Sequence, residues 1–428
     1  MVQSQFHHYI PRFILKTFAD NFSLTTSDTD FIADTTGVFK ATDPDVRLGS
    51  SKRGKGKRGK RGHQGGTRPP SESSRPSRLP RYFSYNINVY RVEGHSNELN
   101  DIARVYGLED MYRDINEYDC MKFEKLLSKL ESSSSQFIRK IWSGEDLSLT
   151  RAQLADMKKF LCIMMYRGEH RRGQYYDGMF DMMTYMSIVK HMEHKKIGRV
   201  QDVWFDNLKW LIETPVDEIM KEFMIAFNTA PKDPLSIIGK YLGPIHVTEL
   251  LDFGLMVYNY VCIWEAEEGS EFILSEGCFG SFEGFMGVCF HNFFIVSPRY
   301  AIVLVNRQYM WGGIDDLPRK SWFGDHLHAN PETVYVKGPL PKNHTSSDFS
   351  LDDVFKYRRI IAPKKDVYTV NSIFLDARRK YLTYKSSACM FKSLRYYDKV
   401  KKTMFPNQHD YTILRRKLFA DMNRTHDS

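Results

Sequence analysis

The chain has few cysteines and no long apolar run, and each of these absences excludes a class of protein. Its 428 residues include six cysteines and no Cys-x-x-Cys pair, which argues against a disulfide scaffold or a zinc ribbon and favours a reducing compartment. The longest apolar run, residues 160–166, is far shorter than the ~18 residues of a membrane helix. The opening residues lack the apolar segment of a secretory signal. We therefore expect no membrane partner and a place in the cytoplasm or the nucleus.

Positive charge is concentrated in one short segment. The chain has 61 Lys and Arg against 52 Asp and Glu, a formal charge of +9. Residues 47–81 hold twelve Lys or Arg and one acid, so this segment carries +11 and the rest of the chain −2. The segment is rich in Gly, Ser and Pro and has almost no apolar residues, so it cannot offset the entropy cost of ordering. We predict a disordered basic insertion over residues 42–81.

This insertion, the basic arm, supplies the candidate nucleic-acid contacts. They are Lys52, Arg53, Lys55, Lys57, Arg58, Lys60 and Arg61. Such tracts bind phosphate backbones without reading sequence, or are bound by the nuclear import machinery. The alternative is a tolerated surface insertion without an essential partner. A phosphate-loop pattern at Gly54–Lys60 is rejected, because Arg61 replaces the Ser or Thr that reaches magnesium and no strand or helix flanks it.

Helical periodicity dominates the chain after the basic arm. Residues 117–142 repeat apolar side chains at helical spacing, and Thr150 with Gln153 forms a capping box that predicts the start of the next helix. Short apolar runs follow residue 258, where we predict a hairpin of Tyr260–Ala266 with Glu271–Ser275. Residues 312–365 are expected to be mostly loop. The predicted class is α+β, predominantly α-helical, with a small antiparallel β-sheet in the second half, from about Tyr258 to Asn306.

The same patterns predict four parts of the chain. Residues 1–41 are expected to form an N-terminal motif that docks on the core, and residues 42–81 the basic arm. Residues 82–397 are expected to form a single domain of helices and the small sheet. Residues 398–428 form a C-terminal tail with room for one helix. These patterns do not decide which cofactor, if any, the chain uses.

The N-terminal motif reads HHYIPRFILKTF from His7 to Phe18. It resembles the opening of an uncharacterised family, domain of unknown function 4238, at His8, Tyr9, Pro11, Phe13, Leu15 and Phe18. Further positions follow in the order that the family shows them: Tyr90, Ile141, Arg167, Arg171, Ser275, Glu276, Ser297, Pro298 and Asn371. The resemblance covers most of residues 6–397 and implies a coherent fold rather than an activity.

Two features depart from the family pattern. The basic arm has no expected counterpart, and a Ser-Asp-x-Pro element is here Ser-Glu-Gly-Cys, residues 275–278. Glutamate keeps the carboxylate but extends it by one methylene, about 1.5 Å, which is enough to disturb tight catalytic geometry. A catalytic carboxylate at this position would therefore be altered in this chain.

Four of these positions are candidate catalytic residues: His8, Arg167, Arg171 and Glu276. A histidine, a carboxylate and two arginines that meet in one pocket have the groups for acid–base hydrolysis of a phosphoester. The structural alternative is that His8 hydrogen-bonds a loop carbonyl and Arg167 clamps Glu276 in a buried ion pair. Histidine pairs at residues 191 and 194 and at residues 326 and 328 are more typical of solvated surfaces than of ligands, so no metal site is predicted.

Three functions remain open from the sequence. The first is a nucleic-acid-associated protein that acts through the basic arm. The second is a nuclease-like phosphoesterase that uses His8, Arg167 and Glu276. The third is a non-catalytic interaction scaffold. Whether the chain is an enzyme is not decided by these patterns.

Overall fold

Helices make up most of the described structure. The computed structural model describes residues 6–22, 85–112, 122–229, 237–285, 288–307, 321–343 and 348–424. Within them lie twelve α-helices: α1 (Arg12–Lys16), α2 (Lys122–Trp142), α3 (Arg151–Arg167), α4 (Glu169–Asp177), α5 (Met182–Lys195), α6 (Val200–Glu213), α7 (Val216–Thr229), α8 (Ile237–Lys240), α9 (Val247–Tyr258), α10 (Lys364–Asp376), α11 (Ser387–Met404) and α12 (Thr412–Arg424). The basic arm and its candidate contacts fall outside the described residues.

Fourteen strands in the described residues form four sheets. They are β1 (Phe6–His8), β2 (Asn86–Arg91), β3 (Ser96–Asp101), β4 (Gly107–Glu109), β5 (Leu147–Thr150), β6 (Tyr260–Ala266), β7 (Leu274–Ser275), β8 (Phe279–Phe285), β9 (Val288–Ile295), β10 (Tyr300–Val305), β11 (Glu332–Val334), β12 (Val354–Tyr357), β13 (Arg359–Ala362) and β14 (Tyr381–Tyr384). The sheet orders are β13-β6-β10-β9-β8, β3-β2-β14-β7, β11-β12-β5 and β1-β4.

The five-stranded sheet forms one wall of the core. Its central strands β6 and β10 pair antiparallel over their whole length, and every residue of β10 is buried. Strand β13 adds to the edge of β6 in parallel, which makes the sheet mixed. Strands buried on both faces read as continuous apolar runs. The sequence YAIVLV of β10 has this form because its two faces are both covered.

Helix α3 is the central helix of the fold. It begins at the predicted capping box, which is confirmed: the Thr150 hydroxyl accepts a hydrogen bond from the Gln153 N–H and the Gln153 side chain accepts one from the Thr150 N–H. Two buried lysines of α3 terminate other helices. Lys158 Nζ donates to the carbonyls of Val257 and Asn259 at the end of α9, and Lys159 Nζ donates to Ile212 at the end of α6. These cations occupy the negative ends of helix dipoles.

The mixed α+β class with predominant helix is confirmed, but the prediction of one small sheet in the second half is wrong. Strands β1 to β5 lie in the first half, and the sheets are several. The predicted hairpin is also wrong, because β6 pairs with β10 and β13 while β7 pairs with β14. Residues 312–365, expected to be mostly loop, include β11, β12 and β13. Each of these pairings joins strands distant in sequence, so local patterns do not display them.

The N-terminal motif is packed into the same core. Strand β1 pairs antiparallel with β4, and the Tyr9 N–H donates to the Tyr106 carbonyl at 2.9 Å. Pro11 precedes the first turn of α1, where its missing N–H needs no partner. Phe13, Leu15 and the other apolar side chains of this segment are buried. None of the helices in the described part of the chain has the length and apolar character needed to cross a membrane.

Candidate functional site

The candidate site centres on Arg167, the last residue of α3. The Arg167 side chain is completely buried. Its Nε donates to the Tyr9 carbonyl at 3.1 Å, and its Nη2 lies 2.6 Å from Glu131 Oε1. Nη1 has no hydrogen-bond partner among the described residues. A buried guanidinium normally satisfies its donors, so this nitrogen is available to an acceptor that the described residues do not provide.

Two carboxylates on α2 face this guanidinium. Glu124 and Glu131 are two helical turns apart and lie on the stripe of α2 that also buries Leu127 and Ser134. Burial raises the pKa of Glu124 to about 7; the nearby Glu131 carboxylate raises it further, and Arg167 opposes the shift. Glu124 Oε2 has no hydrogen-bond partner within the described ranges. The side chains of Glu124 and Glu131 are 21% and 16% exposed, so a ligand can reach them from solvent.

His7 is held beside Glu124 in one tautomer. Its Nδ1 accepts a hydrogen bond from the Tyr112 N–H at 3.4 Å, which leaves the ring proton on Nε2. His7 Nε2 lies 3.9 Å from Glu124 Oε2. Burial lowers the pKa of His7 to about 4, although Asp110 opposes the shift, so the imidazole is neutral at physiological pH.

His8 is a neutral imidazole that lies near two arginines, Arg12 and Arg167. Burial lowers its pKa to about 3, and Arg12, Arg167 and His7 lower it in turn. Its Nδ1 has no hydrogen-bond partner in the part of the chain that the structure describes. The hydroxyl of the buried Tyr112 donates to the His8 carbonyl at 3.4 Å, which fixes the backbone at this position.

These residues form one cluster, which we call the Arg167 cluster: His7, His8, Tyr112, Glu124, Glu131 and Arg167. It combines two neutral imidazoles, a carboxyl group with a pKa of about 7 and a buried guanidinium whose Nη1 has no hydrogen-bond partner among the described residues. Displaced pKa values cluster at functional sites, so the Arg167 cluster is the candidate acid–base site of this chain.

Arg171 belongs to a different network. Its Nε donates to Glu249 Oε2 at 3.0 Å, its Nη2 pairs with Asp252, and Tyr175 donates to the other oxygen of Glu249 at 2.6 Å. These contacts join α4 to α9. Two carboxylates of α9 therefore form ion pairs with Arg171, and these ion pairs link α4 to α9.

Glu276 is occupied by backbone donors. Its Oε1 accepts hydrogen bonds from the N–H groups of Lys380 and Tyr381 at 3.0 and 2.5 Å, and its Oε2 accepts one from the Arg379 N–H at 3.4 Å. Burial raises the pKa of Glu276 to about 7, against the effect of these donors. The carboxylate fixes the turn that leads into β14. Arg167 pairs with Glu131 instead of Glu276.

Sequence reasoning thus located two members of the cluster, His8 and Arg167, and missed Glu124, Glu131, His7 and Tyr112. A sequence pattern for the two glutamates did exist. They occupy positions of α2 at three or four residues from Leu127, inside the apolar stripe. Charged residues at such positions are seldom buried unless they are paired or functional.

The described residues contain no group of three or more His, Cys, Asp or Glu arranged to hold a metal ion. A family model described as "Protein of unknown function (DUF4238)" matches residues 7–388. The chain belongs to the DUF4238 family. Comparison with curated proteins and with solved structures found no match. In this DUF4238 protein the opening motif provides His7 and His8 to the Arg167 cluster, and its Tyr9 carbonyl holds the arginine in place.

Proposed function

We propose that this DUF4238 protein hydrolyses phosphoesters at the Arg167 cluster. The unsatisfied Nη1 of Arg167 is the observation that carries the proposal. A buried donor without an acceptor costs about 1–3 kcal/mol, and more when it is charged. A phosphate oxygen would supply the acceptor, and the planar guanidinium matches phosphate geometry better than an ammonium does.

His8 is the proposed general base. Its neutral Nδ1 is ready to accept a proton, but burial first, and then Arg12 and Arg167, make the imidazole a weak base when no substrate is bound. A bound phosphate offsets the field of Arg12 and Arg167, so substrate binding raises the pKa of His8 towards neutrality. His8 therefore becomes a stronger base only when the phosphate substrate is bound.

Glu124 is the proposed general acid. Its raised pKa keeps a proton on the carboxyl group near neutral pH, and its Oε2 is not engaged by the described residues. Glu276, the carboxylate that the sequence hypothesis favoured, is less suited because three backbone N–H groups already bind it. This assignment leaves Glu131 to hold Arg167.

The reaction then proceeds in one displacement. A water molecule transfers a proton to His8 Nδ1 while its oxygen forms a bond to phosphorus. The bond from phosphorus to the leaving oxygen breaks, and that oxygen takes the proton of Glu124. Arg167 Nη1 donates to a non-bridging oxygen and stabilises the charge that develops there. Solvent afterwards removes the proton from His8 and returns one to Glu124.

Hydrolysis is tested with the full chain on bis(4-nitrophenyl) phosphate and on single-stranded RNA and DNA oligonucleotides. We expect His8→Gln and Glu124→Gln each to lower kcat/KM by about 100-fold or more. His326→Gln, a substitution at a histidine that is 60% exposed and outside the cluster, serves as the matched control and is expected to keep full activity.

The pH profile separates catalysis from a structural role. Because Glu124 must be protonated, kcat/KM is expected to fall about tenfold per pH unit above pH 7, and the fall should be absent from the residual activity of Glu124→Gln. Absence of cleavage of all three substrates by the folded chain, or equal activity of the two variants and the control, would contradict the proposal.

A second proposed function is nucleic-acid binding by the basic arm. The support is the sequence: residues 47–81 carry +11, whereas the remainder of the chain carries −2. Each phosphate contacted releases counterions, so affinity should fall steeply with salt. Deletion of residues 46–81 is expected to weaken RNA and DNA binding and to flatten its salt dependence. Unchanged affinity and slope would refute this function and leave the arm as a nuclear import sequence or a tolerated insertion.

A further inference from the structure

A second polar cluster includes residues of β8 and β9 in the five-stranded sheet and shares no residue with the Arg167 cluster. Glu283 on β8 accepts a hydrogen bond from His291 Nδ1 on β9 at 3.0 Å. His291 Nε2 lies 2.7 Å from the Nε2 of His328, which follows a short helical turn at residues 325–327. The three side chains form a line from a buried carboxylate to a partly exposed imidazole.

The Glu283 carboxylate, at the buried end of the line, is held by several hydrogen-bond donors. Glu283 is 2% exposed, and its oxygens also accept hydrogen bonds from the Ser321 hydroxyl and the Trp322 N–H, both at 3.1 Å. A carboxylate in this position keeps the proton of His291 on Nδ1. The lone pair of His291 therefore resides on Nε2 and points at His328.

Two imidazoles that face each other through Nε2, with a carboxylate behind one of them, have the arrangement of metal ligands. Metal-binding histidines almost always donate their other ring N–H to a carboxylate, carbonyl or water, which sets the tautomer and the direction of the ring. We propose that His291 and His328 bind a divalent transition-metal ion such as Zn²⁺ through their Nε2 atoms, with Glu283 orienting His291.

The change needed for binding is small. With metal–nitrogen distances of about 2.0–2.1 Å and a tetrahedral angle, the two Nε2 atoms are about 3.3 Å apart, so the present contact must open by about 0.6 Å. His328 can supply this shift because it lies outside the sheet and is partly exposed, while His291 stays fixed in β9. The proton on His328 Nε2 moves to Nδ1 through solvent, so the ring stays neutral and no net charge is lost.

His328 lies at the partly exposed end of the line, so an ion can reach its Nε2 from solvent. Within the described ranges no third His, Cys, Asp or Glu completes the ligand set. Imidazole pairs of this kind suit zinc, copper and nickel better than magnesium or calcium.

The test uses the untagged full chain with Zn²⁺ in calorimetry and with Cu²⁺ in electron paramagnetic resonance. We expect one ion per chain that is lost, or bound at least tenfold more weakly, in His328→Ala. Glu283→Gln should weaken binding by about 10- to 100-fold. The Cu²⁺ spectrum of the unmodified chain should show hyperfine coupling to two imidazole nitrogens, and that of His328→Ala to fewer.

His326→Ala is the matched control, because His326 is two residues away and 60% exposed. It should bind the ion as the unmodified chain does. Binding that is absent, that persists unchanged in His328→Ala, or that depends on His326 instead would overturn the proposal. Since His328 lies near the surface, its variant tests the site even when a substitution at the buried Glu283 prevents folding. These outcomes do not depend on the phosphoesterase activity, which is assigned to other residues.

Discussion

The protonation of Glu124 makes a prediction about stability that does not require a substrate. Burial raises its pKa from an ordinary 4.5 to about 7 in the folded chain, so folding binds a proton between these two values. The contribution of Glu124 to the free energy of unfolding is therefore largest below pH 4.5, where Glu124 is protonated in both the folded and the unfolded state. It falls as the pH rises through about 7 and then levels off. Glutamine at this position keeps the shape of the side chain but cannot ionise.

The size of this change in stability follows from the difference between the pKa of Glu124 in the folded chain and its ordinary pKa. A difference of about 2.5 pKa units, at about 1.4 kcal/mol per unit, corresponds to roughly 3.5 kcal/mol, and the partial exposure of Glu124 reduces it to about 2–3 kcal/mol. Between pH 4.5 and pH 8, the free energy of unfolding of Glu124→Gln should gain this amount relative to the unmodified chain. The Arg167 charge beside Glu124 is already included in the displaced pKa.

Urea unfolding of both proteins at half-unit steps from pH 4.5 to 8 measures the difference. Glu145→Gln is a matched control, because Glu145 is exposed and its solvation changes little on folding. Its difference from the unmodified chain should be independent of pH. A Glu124→Gln difference that stays constant over the same range would refute the reasoning, because it would mean that Glu124 is not desolvated in the folded state.

Three further predictions concern the framework and are checked by chemical denaturation. Lys158→Met should cost about 1–3 kcal/mol, because the carbonyls of Val257 and Asn259 lose their shared donor; a smaller loss would show that water replaces it. Asn371→Ala should cost at least 2 kcal/mol, since the amide makes three hydrogen bonds, two of them buried; an unchanged stability would contradict this. Thr150→Ser should be nearly neutral and Thr150→Ala should cost about 1 kcal/mol, and equal effects would exclude the capping box as their cause.

Local patterns predicted the helices better than the sheets, for a physical reason. The start of α3 is readable because a capping box is made within four residues. Strand β13 pairs with β6 almost one hundred residues earlier, and β14 inserts between β2 and β7. Which strands meet depends on how the whole core packs, and no periodicity within a strand encodes its partner. The sheet count was therefore underestimated while the helical content was not.

The candidate site was only partly predictable for a related reason. His8 and Arg167 stand out in the sequence because they match the family motif. Arg167 is also the last residue of α3, and cations are favoured at the C-terminus of a helix. Glu276 also matched, but a carboxylate that accepts three backbone N–H groups has the same sequence appearance as one that does chemistry. Glu124 differs from Glu276 in that its Oε2 has no hydrogen-bond partner among the residues that the structure describes, and only the three-dimensional contacts reveal this.

The Arg167 cluster exists only when the N-terminal motif is docked on the core. The Tyr9 carbonyl anchors Arg167. His8 is the last residue of β1, and the pairing of β1 with β4 holds it in place. Without these residues, Arg167 would keep Glu131 as its partner but would lose the base and the backbone acceptor. The apolar side chains of α1 drive this docking, because Ile14, Leu15 and their neighbours are buried. Two roles thus explain the mixture of polar and apolar residues in the opening motif. The apolar residues pack the segment onto the core, and the histidines complete the Arg167 cluster.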